Sequence, residues 1–460
     1  MGELIGNIII KANDFIWSYV MIASLIAVGL IFTFKSKFVQ FRYIPEMFRL
    51  LKEKSFTSNK STSSFGAFCV SLASRVGTGN MAGVATAIAI GGPGAIFWMW
   101  LVALIGAASS FAESSLAQLY KRSDGANGYV GGPAYYMEQG LNKRWMGVLF
   151  AVIISFTFGL FFNSVQSNTI VLSLGSELEH YKAWFGIGLS ITTLLVIFGG
   201  IKRIVSFSSV VVPIMTVGYL GIALFVMVTN IHLLWDVIKL IVGSAFGIEQ
   251  AFGGGIGVAI IQGVRRGLFS NEAGMGSAPN AAATADVTHP VKQGLIQSLG
   301  VFADTMIVCS CTAFLILVSG VPIDGSIQGI ELTQAAMNVH LGDNIGAPFI
   351  TVCIFLFAFS SIIGNYYYGE ANIKFITNKK AWLTIYRIMV GVMVFWGSVA
   401  SLEMVWNLAD FSMAIMALIN LIAIFMLRKA VVMLYVDYNT KRKKGVISPQ
   451  FKNDEFESWK

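Results

Sequence analysis

Two stretches decide the fold: Ser71-Leu-Ala-Ser-Arg-Val-Gly-Thr-Gly-Asn80 and Gly267-Leu-Phe-Ser-Asn-Glu-Ala-Gly-Met-Gly-Ser-Ala-Pro279. Each sits in the middle of an apolar run of membrane length. Gly77 and Gly79 weaken a helix there, since glycine costs about 1 kcal/mol against alanine. Thr78 and Asn80 add polar groups at bilayer depth. Broken backbone inside a membrane persists only where protein or water satisfies its N–H and C=O groups, so each break implies a cavity. Two breaks five spans apart imply two corresponding halves, the arrangement of transporters built from inverted repeats with discontinuous helices. The plain alternative is that the glycines only allow close helix packing. The pairing of the breaks favours function.

Working outward, the rest of the chain supplies the spans. Hydrophobic residues make up 55% of the 460 residues and charged residues 12%, against about 25% charged in a soluble domain. A helix needs about 20 apolar residues to cross the hydrocarbon. Eleven runs qualify, at roughly 15–34, 63–90, 94–120, 146–175, 183–200, 206–229, 251–288, 291–319, 346–378, 382–404 and 406–430. The segment 231–246 reads as a short amphipathic surface piece, and the tail from Val431 as polar and loosely held. The first apolar run lacks a basic leader and an A-x-A-like cleavage site, so no cleaved signal peptide is expected.

Cys69, Cys309, Cys311 and Cys353 all lie in apolar runs and fit no zinc spacing with His180, His232, His289 and His340. The net charge of +8 is spread over alternate loops rather than along one stripe, which argues against nucleic acid. The first loop carries Lys35, Lys37, Arg42, Arg49, Lys52, Lys54 and Lys60. Later basic loops hold Lys121, Arg122, Lys143 and Arg144, then Lys202 and Arg203, then Lys374, Lys379 and Lys380, then Lys441–Lys444. The 320–345 connection has acids but no Lys or Arg. The positive-inside rule makes the basic loops cytoplasmic. Eleven spans then put the N-terminus outside and the C-terminus inside.

With span 1 as an accessory, spans 2–6 and 7–11 form two sets of five, and an odd count forces opposite orientations. The expected organisation is an accessory helix and basic loop over 1–62, a first repeat over 63–230, a surface helix and second repeat over 231–430, and a cytoplasmic tail over 431–460. The half-helix beginning near Thr78 offers free N–H groups and a partial positive end, which suits a carboxylate. The half-helix ending near Phe269–Asn271 offers free C=O groups, which suit an ammonium or Na⁺. A zwitterionic amino acid matches both. Further polar residues fall inside spans: Asn163, Gln166 and Asn168, Ser360 and Ser361, and the acids Glu113, Asp304 and Asp410. Intramembrane acids are functional suspects. Glu113 and Asp304 also suit helix stapling or pairing with Arg75, Arg265 or Arg266.

Gly91-Gly-Pro-Gly-Ala-Ile-Phe-Trp-Met-Trp100, Val76-Gly-Thr-Gly-Asn-Met-Ala-Gly-Val84, Gly131-Gly-Pro133, Gly267–Gly274 and Val301-Phe-Ala-Asp-Thr305 resemble the signatures of the alanine-or-glycine:cation symporter family. The likeness runs from about residue 15 to 430. It implies an all-α polytopic fold of the leucine-transporter type, a 5+5 inverted repeat with one extra N-terminal helix. It also implies uptake of alanine or glycine, in some members glutamine, driven by Na⁺ or H⁺ across a bacterial or archaeal inner membrane. By the same resemblance Thr78 and Gly79 would hold the carboxylate, and Gln166, Phe269, Ser270 and Asn271 would surround the ammonium and side chain. Na⁺ would take the carbonyls of Ala73, Val76 and Phe357 and the hydroxyls of Ser360 and Ser361. Many alanine transporters of the family carry a Trp after the glycine of span 9, whereas Asn365 follows Gly364 here. That brings serine or glutamine into range, with Asn365 at the side-chain end of the cavity or, alternatively, bonding a neighbouring helix. Arg75 replaces the small residue expected beside the first break.

Other classes fit less well. A channel would show a repeated filter loop, and an enzyme a catalytic cluster; the sequence displays neither. Proton coupling would need a buried carboxylate at the site, and Ser360 and Ser361 favour Na⁺ instead.

Overall fold

The computed structural model describes residues 10–53, 62–124, 128–247 and 255–451. Lys54, Lys60, the first residues of the predicted seventh span and the last nine of the tail lie outside these, as does the side chain of Lys202. The first half of the described chain holds α1 (Ile10–Lys35), α2 (Ile44–Leu51), α3 (Ser64–Arg75), α4 (Gly79–Gly91), α5 (Gly94–Leu119), α6 (Pro133–Gln139), α7 (Arg144–Leu172), α8 (Lys182–Ile197), α9 (Gly200–Thr229) and α10 (Leu234–Ala245). The second half holds α11 (Gly255–Asn271), α12 (Ala278–Ala282), α13 (Pro290–Ser319), α14 (Ile330–Leu341), α15 (Gly346–Ile376), α16 (Lys380–Val399), α17 (Leu402–Met426) and α18 (Arg428–Lys443). A two-residue-per-strand hairpin pairs Arg122 with Val130.

Among the described residues eight helices, α1, α5, α7, α9, α13, α15, α16 and α17, are long and apolar enough to cross a bilayer. The split pairs α3/α4 and α11/α12 and the 16-residue α8 complete the eleven predicted runs. Small residues let these helices approach closely, as in other membrane bundles. Gly263 and Gly267 of α11 and Gly294 of α13 lie against α5, and Gly397 of α16 lies against the Ser164 backbone of α7. On α9, by contrast, Val210, Ile214, Val217, Leu224 and Val228 are all more than half exposed. They recur at steps of three, four and seven residues, so one apolar face of the helix is left to lipid.

Both breaks fall where the glycines and polar residues place them. In the first, Val76 turns to an extended conformation and helix resumes at Thr78. In the second, Glu272, Gly274 and Gly276 all take positive φ, at 56°, 84° and 85°. The left-handed region suits the glycines and strains Glu272. Its carboxylate is held by the hydroxyls of Ser74 at 2.5 Å and Ser277 at 2.6 Å.

The segment 231–246 forms α10, which buries Val237, Ile241 and Ala245 at four-residue spacing and leaves Trp235 exposed. The tail departs from the loose extension expected. It forms α18, whose Ala430, Val431, Leu434, Tyr435 and Tyr438 are buried. The Tyr438 hydroxyl donates to Glu46 of α2 at 2.8 Å, and the Phe451 N–H donates to the Thr288 carbonyl at 2.8 Å. The buried residues recur at one- and three-residue steps along the helix, and the charges between them make the segment read as a solvated tail.

Candidate transport site

The first break frees backbone groups in a defined way. In an unbroken helix the Ala73 carbonyl would accept from Gly77 and the Val76 carbonyl from Asn80. Here the Gly77 N–H donates to the Asn80 side-chain oxygen at 2.9 Å, and the Asn80 N–H donates to the Gly77 carbonyl at 3.2 Å. The released carbonyls turn towards α15. The Ser361 hydroxyl lies 2.9 Å from the Ala73 oxygen, 3.4 Å from that of Val76 and 3.0 Å from that of Phe357. One hydroxyl proton cannot satisfy three acceptors, so this is an oxygen-rich knot of the kind a hard monovalent cation fits. Ser360 joins it only through the Phe357 carbonyl, 2.9 Å away, and its hydroxyl also lies 3.7 Å from the Met215 sulfur. Gly77 is fixed by packing, because a Cβ there would overlap the Ser361 hydroxyl.

At the start of α4 the Thr78 N–H and hydroxyl both donate to the Gln166 side-chain oxygen, at 3.0 and 2.7 Å. Gln166 thus touches the carboxylate end of the expected site rather than the ammonium end. Gly79 presses directly on the second break: a Cβ there would lie 3.1 Å from both the Phe269 ring and the Ser270 Cα.

The second break frees the opposite groups. The Phe269, Ser270 and Asn271 carbonyls lose their helical donors, because Ala273 donates to the Asn271 side chain, Gly274 to Glu113 and Met275 to the Glu272 carbonyl. Glu113 also accepts from Gly276 at 3.0 Å and from the Asn420 amide at 2.7 Å. It is therefore a cap for the broken backbone. The Asn271 side-chain nitrogen is buried without a protein partner.

Asp304 joins the two breaks. It accepts from the Asn80 amide at 2.7 Å and from the Ser270 hydroxyl at 2.7 Å. The Ser270 side chain is thereby turned to Asp304. Neither Glu113 nor Asp304 forms a direct ion pair with an arginine among the described residues. Both lie within Coulombic reach of Arg75, whose guanidinium donates to the Gln297 carbonyl and the Ser110 hydroxyl. Arg265 and Arg266 pair instead with Asp410. Asn365 has both ends of its amide engaged, accepting from Ser74 at 2.6 Å and donating to Asn163 at 3.1 Å.

The sequence model of the sodium:alanine symporter family matches residues 2–453. The chain belongs to that family. It is 54% identical to the amino-acid carrier protein AlsT of Bacillus subtilis, over 98% of this chain and 96% of that one. It is 51% identical to the probable sodium/glutamine symporter GlnT of the same organism, over 99% and 95%. Among solved structures it superposes on MhsT in complex with L-phenylalanine at a TM-score of 0.56, with 13% identity, covering 84% of this chain and 99% of that one. The symporter is thus an all-α, multi-pass transporter with the leucine-transporter type of fold.

Sequence reading missed three residues of this symporter's site region. Glu272 and Ser74 lie within the two broken stretches, and only their pairing across the breaks gives them a role. Trp406 read as an apolar residue at a span end, yet its ring packs on Phe269 with centroids 4.7 Å apart. No local signal marks a contact between residues this far apart in sequence.

Proposed function

We propose that the protein takes up a small neutral amino acid together with Na⁺ by alternating access, with the two breaks as its binding centre. The observation that carries this reading is the convergence of the Ala73, Val76 and Phe357 carbonyls on Ser361, with Val76 two residues before Thr78, whose N–H is taken by a side chain rather than by helical backbone. Na⁺ takes these three carbonyls and the Ser361 hydroxyl, with Ser360 completing the set through rotation of its side chain. The substrate carboxylate takes the Thr78 and Gly79 end and displaces the Gln166 oxygen. The ammonium faces the carbonyls of Phe269, Ser270 and Asn271, and Asn365 borders the side-chain end. Alanine, glycine, serine and glutamine all fit this scheme; the sodium/glutamine designation of one relative supports including glutamine. The repeats divide at 63–230 and 231–430, flanked by the accessory segment 1–62 and the tail 431–460. The basic loops and tail face the cytoplasm, the N-terminus faces outward, and the membrane is a bacterial or archaeal inner membrane, with lipid against faces such as that of α9.

Reconstituted protein should accumulate labelled alanine, glycine, serine or glutamine when Na⁺ is outside. Uptake unchanged on replacing Na⁺ by choline at fixed pH would sink the reading. Proton coupling is the second reading, and Asp304 favours it as a buried carboxylate between the breaks. Uptake driven by a pH gradient without Na⁺ would establish it.

A further inference from the structure

Trp406 closes one side of the meeting point of the two breaks. Its indole packs on Phe269 at 4.7 Å, and Phe269 packs on Phe162 at 4.5 Å. Its far edge lies 3.9 Å from where a Cβ on Gly83 would stand, so the indole reaches from the end of α11 to the first turn of α4. A cavity of about 180 Å³ is lined by Ala82, Thr169, Leu172, Ile330, Glu331 and Leu402. Leu402 is one turn before Trp406 on α17, and Ala82 is next to Gly83. Neighbours of the ring on both helices thus line this cavity, while the ring itself packs on the broken-helix centre.

A brace holds the indole in place. The Arg266 guanidinium lies 4.2 Å above it, a cation–π distance. Arg266 also pairs closely with Asp410, which Arg265 approaches at 3.7 Å. The Trp17 N–H donates to the Asp410 carbonyl at 3.3 Å. This brace is incompletely satisfied: the Arg266 Nε and Nη1 and one Asp410 carboxylate oxygen are buried without a protein partner. Buried polar atoms left unpaired raise the free energy of the arrangement that buries them.

We propose that Trp406 is the specificity-determining wall of the amino-acid site: its indole, braced by Arg266 and Asp410, closes over the substrate and sets the largest side chain that can be enclosed. The proposal rests on the amino-acid symport reading above and adds a size limit to it. The bland alternative is a core tryptophan that only packs helices. A packing role lowers uptake of all substrates by one factor, whereas a wall changes their ratio.

The experiment is Na⁺-driven uptake by reconstituted protein of alanine and leucine, with Trp406→Ala, Trp406→Leu and Trp406→Phe compared with the wild type. One methylene in an apolar pocket alters discrimination by about 10-fold or more. The leucine-to-alanine ratio of uptake efficiency should therefore rise at least about tenfold in Trp406→Ala and less in Trp406→Phe. Should the alanine variant not fold, Trp406→Leu must still raise the ratio. A constant ratio in any folded, active variant other than Trp406→Phe overturns the proposal alone. Absence of Na⁺-driven uptake by the wild type overturns the symport reading and this proposal with it.

Discussion

The proposed ion site turns on one side chain, Ser361. Its hydroxyl meets three carbonyls that cannot all be satisfied by one proton, and two of them were released by the break at Gly77. Removing that oxygen leaves the carbonyls facing one another with one ligand fewer. Ser361→Ala should raise the Na⁺ concentration for half-maximal uptake about tenfold, since bonds to charged groups are worth about 1.5–3 kcal/mol. The alanine-to-glycine preference should not change; Na⁺ titration of uptake with both substrates reads the two effects apart, and an unaltered Na⁺ requirement removes Ser361 from the ion site. Thr78 gives the matching test for the carboxylate. Thr78→Val keeps the shape and loses one charge-assisted bond, so substrate affinity should fall about tenfold. Alaninamide should compete poorly with alanine in the wild type, and equal competition would refute the assignment. At this scale the backbone groups were legible, because the glycines mark where helical bonds must fail. Side-chain directions were not. Ser270 turns to Asp304, Gln166 caps Thr78, and Asn365 bridges Ser74 and Asn163. Each depends on a residue from another span, and polar spacing within one span does not reveal its partner.

Elements were read best where composition leaves one solution. The split of α3 from α4 and of α11 from α12 follows from polar glycine-rich centres in apolar runs, and α10 follows from its amphipathic pattern. The tail was misread because α18 carries its charges beside a buried aromatic face, and composition alone averages the two. What holds it is electrostatic as well as apolar. Lys292 donates to Ser448 at 2.6 Å, His289 pairs with Asp437 at 3.0 Å, and Arg442 with Glu46 at 3.2 Å. Burial pushes the His289 imidazole below its ordinary range, against the pull of Asp437. Burial would raise Glu46 and Asp437, but hydrogen bonds outweigh it: Arg49 and Tyr438 hold Glu46 low, and His289 and Lys441 hold Asp437 low. In all three cases the unfolded or undocked form binds more protons than the docked form. Docking stability is therefore intact above the free values and falls as pH drops, first through about 6.5 for histidine and then through about 4 for the carboxylates. Hydrogen exchange of 428–451 should quicken as pH is lowered from 7.5 to 5, after correction for the intrinsic pH effect on exchange. Protection that stays constant over that range would show that these pairs do not hold the tail. Because Lys292 stands on the same helix as Gln293 and Gln297, which bond Ser64 and Ser71 of α3, a loosened tail lies one helix away from the first broken segment.

For the molecule as a whole, the arrangement of charge limits what the transporter can do with its driving force. Each break presents one kind of backbone group: Thr78 offers donors, and Phe269–Asn271 offer acceptors whose helical donors are engaged elsewhere. The two meet at Gly79, so a zwitterion lying between them brings no net charge into the bilayer. The proposed cation knot on Ser361 uses carbonyls and hydroxyls only, with no carboxylate among its ligands, so the bound Na⁺ keeps its full charge. A loaded carrier of this kind moves one positive charge per cycle. A tenfold Na⁺ gradient supplies about 1.4 kcal/mol, and a 100 mV potential, negative inside, adds about 2.3 kcal/mol for that charge. Together these sustain an accumulation of about 500-fold at equilibrium, against about tenfold from the Na⁺ gradient alone. Proteoliposomes holding a K⁺-diffusion potential should therefore concentrate the amino acid far beyond the Na⁺ ratio, and clamping the potential to zero with equal K⁺ and valinomycin should bring accumulation back to that ratio. If accumulation ignores the potential, a proton must leave for each Na⁺ that enters, carried on a carboxyl group that is protonated on the return leg. Asp304 is the residue placed to carry it, since its carboxylate already touches both breaks through Asn80 and Ser270. In that event Asp304→Asn should restore the dependence on potential, which gives the electroneutral outcome its own residue and its own measurement.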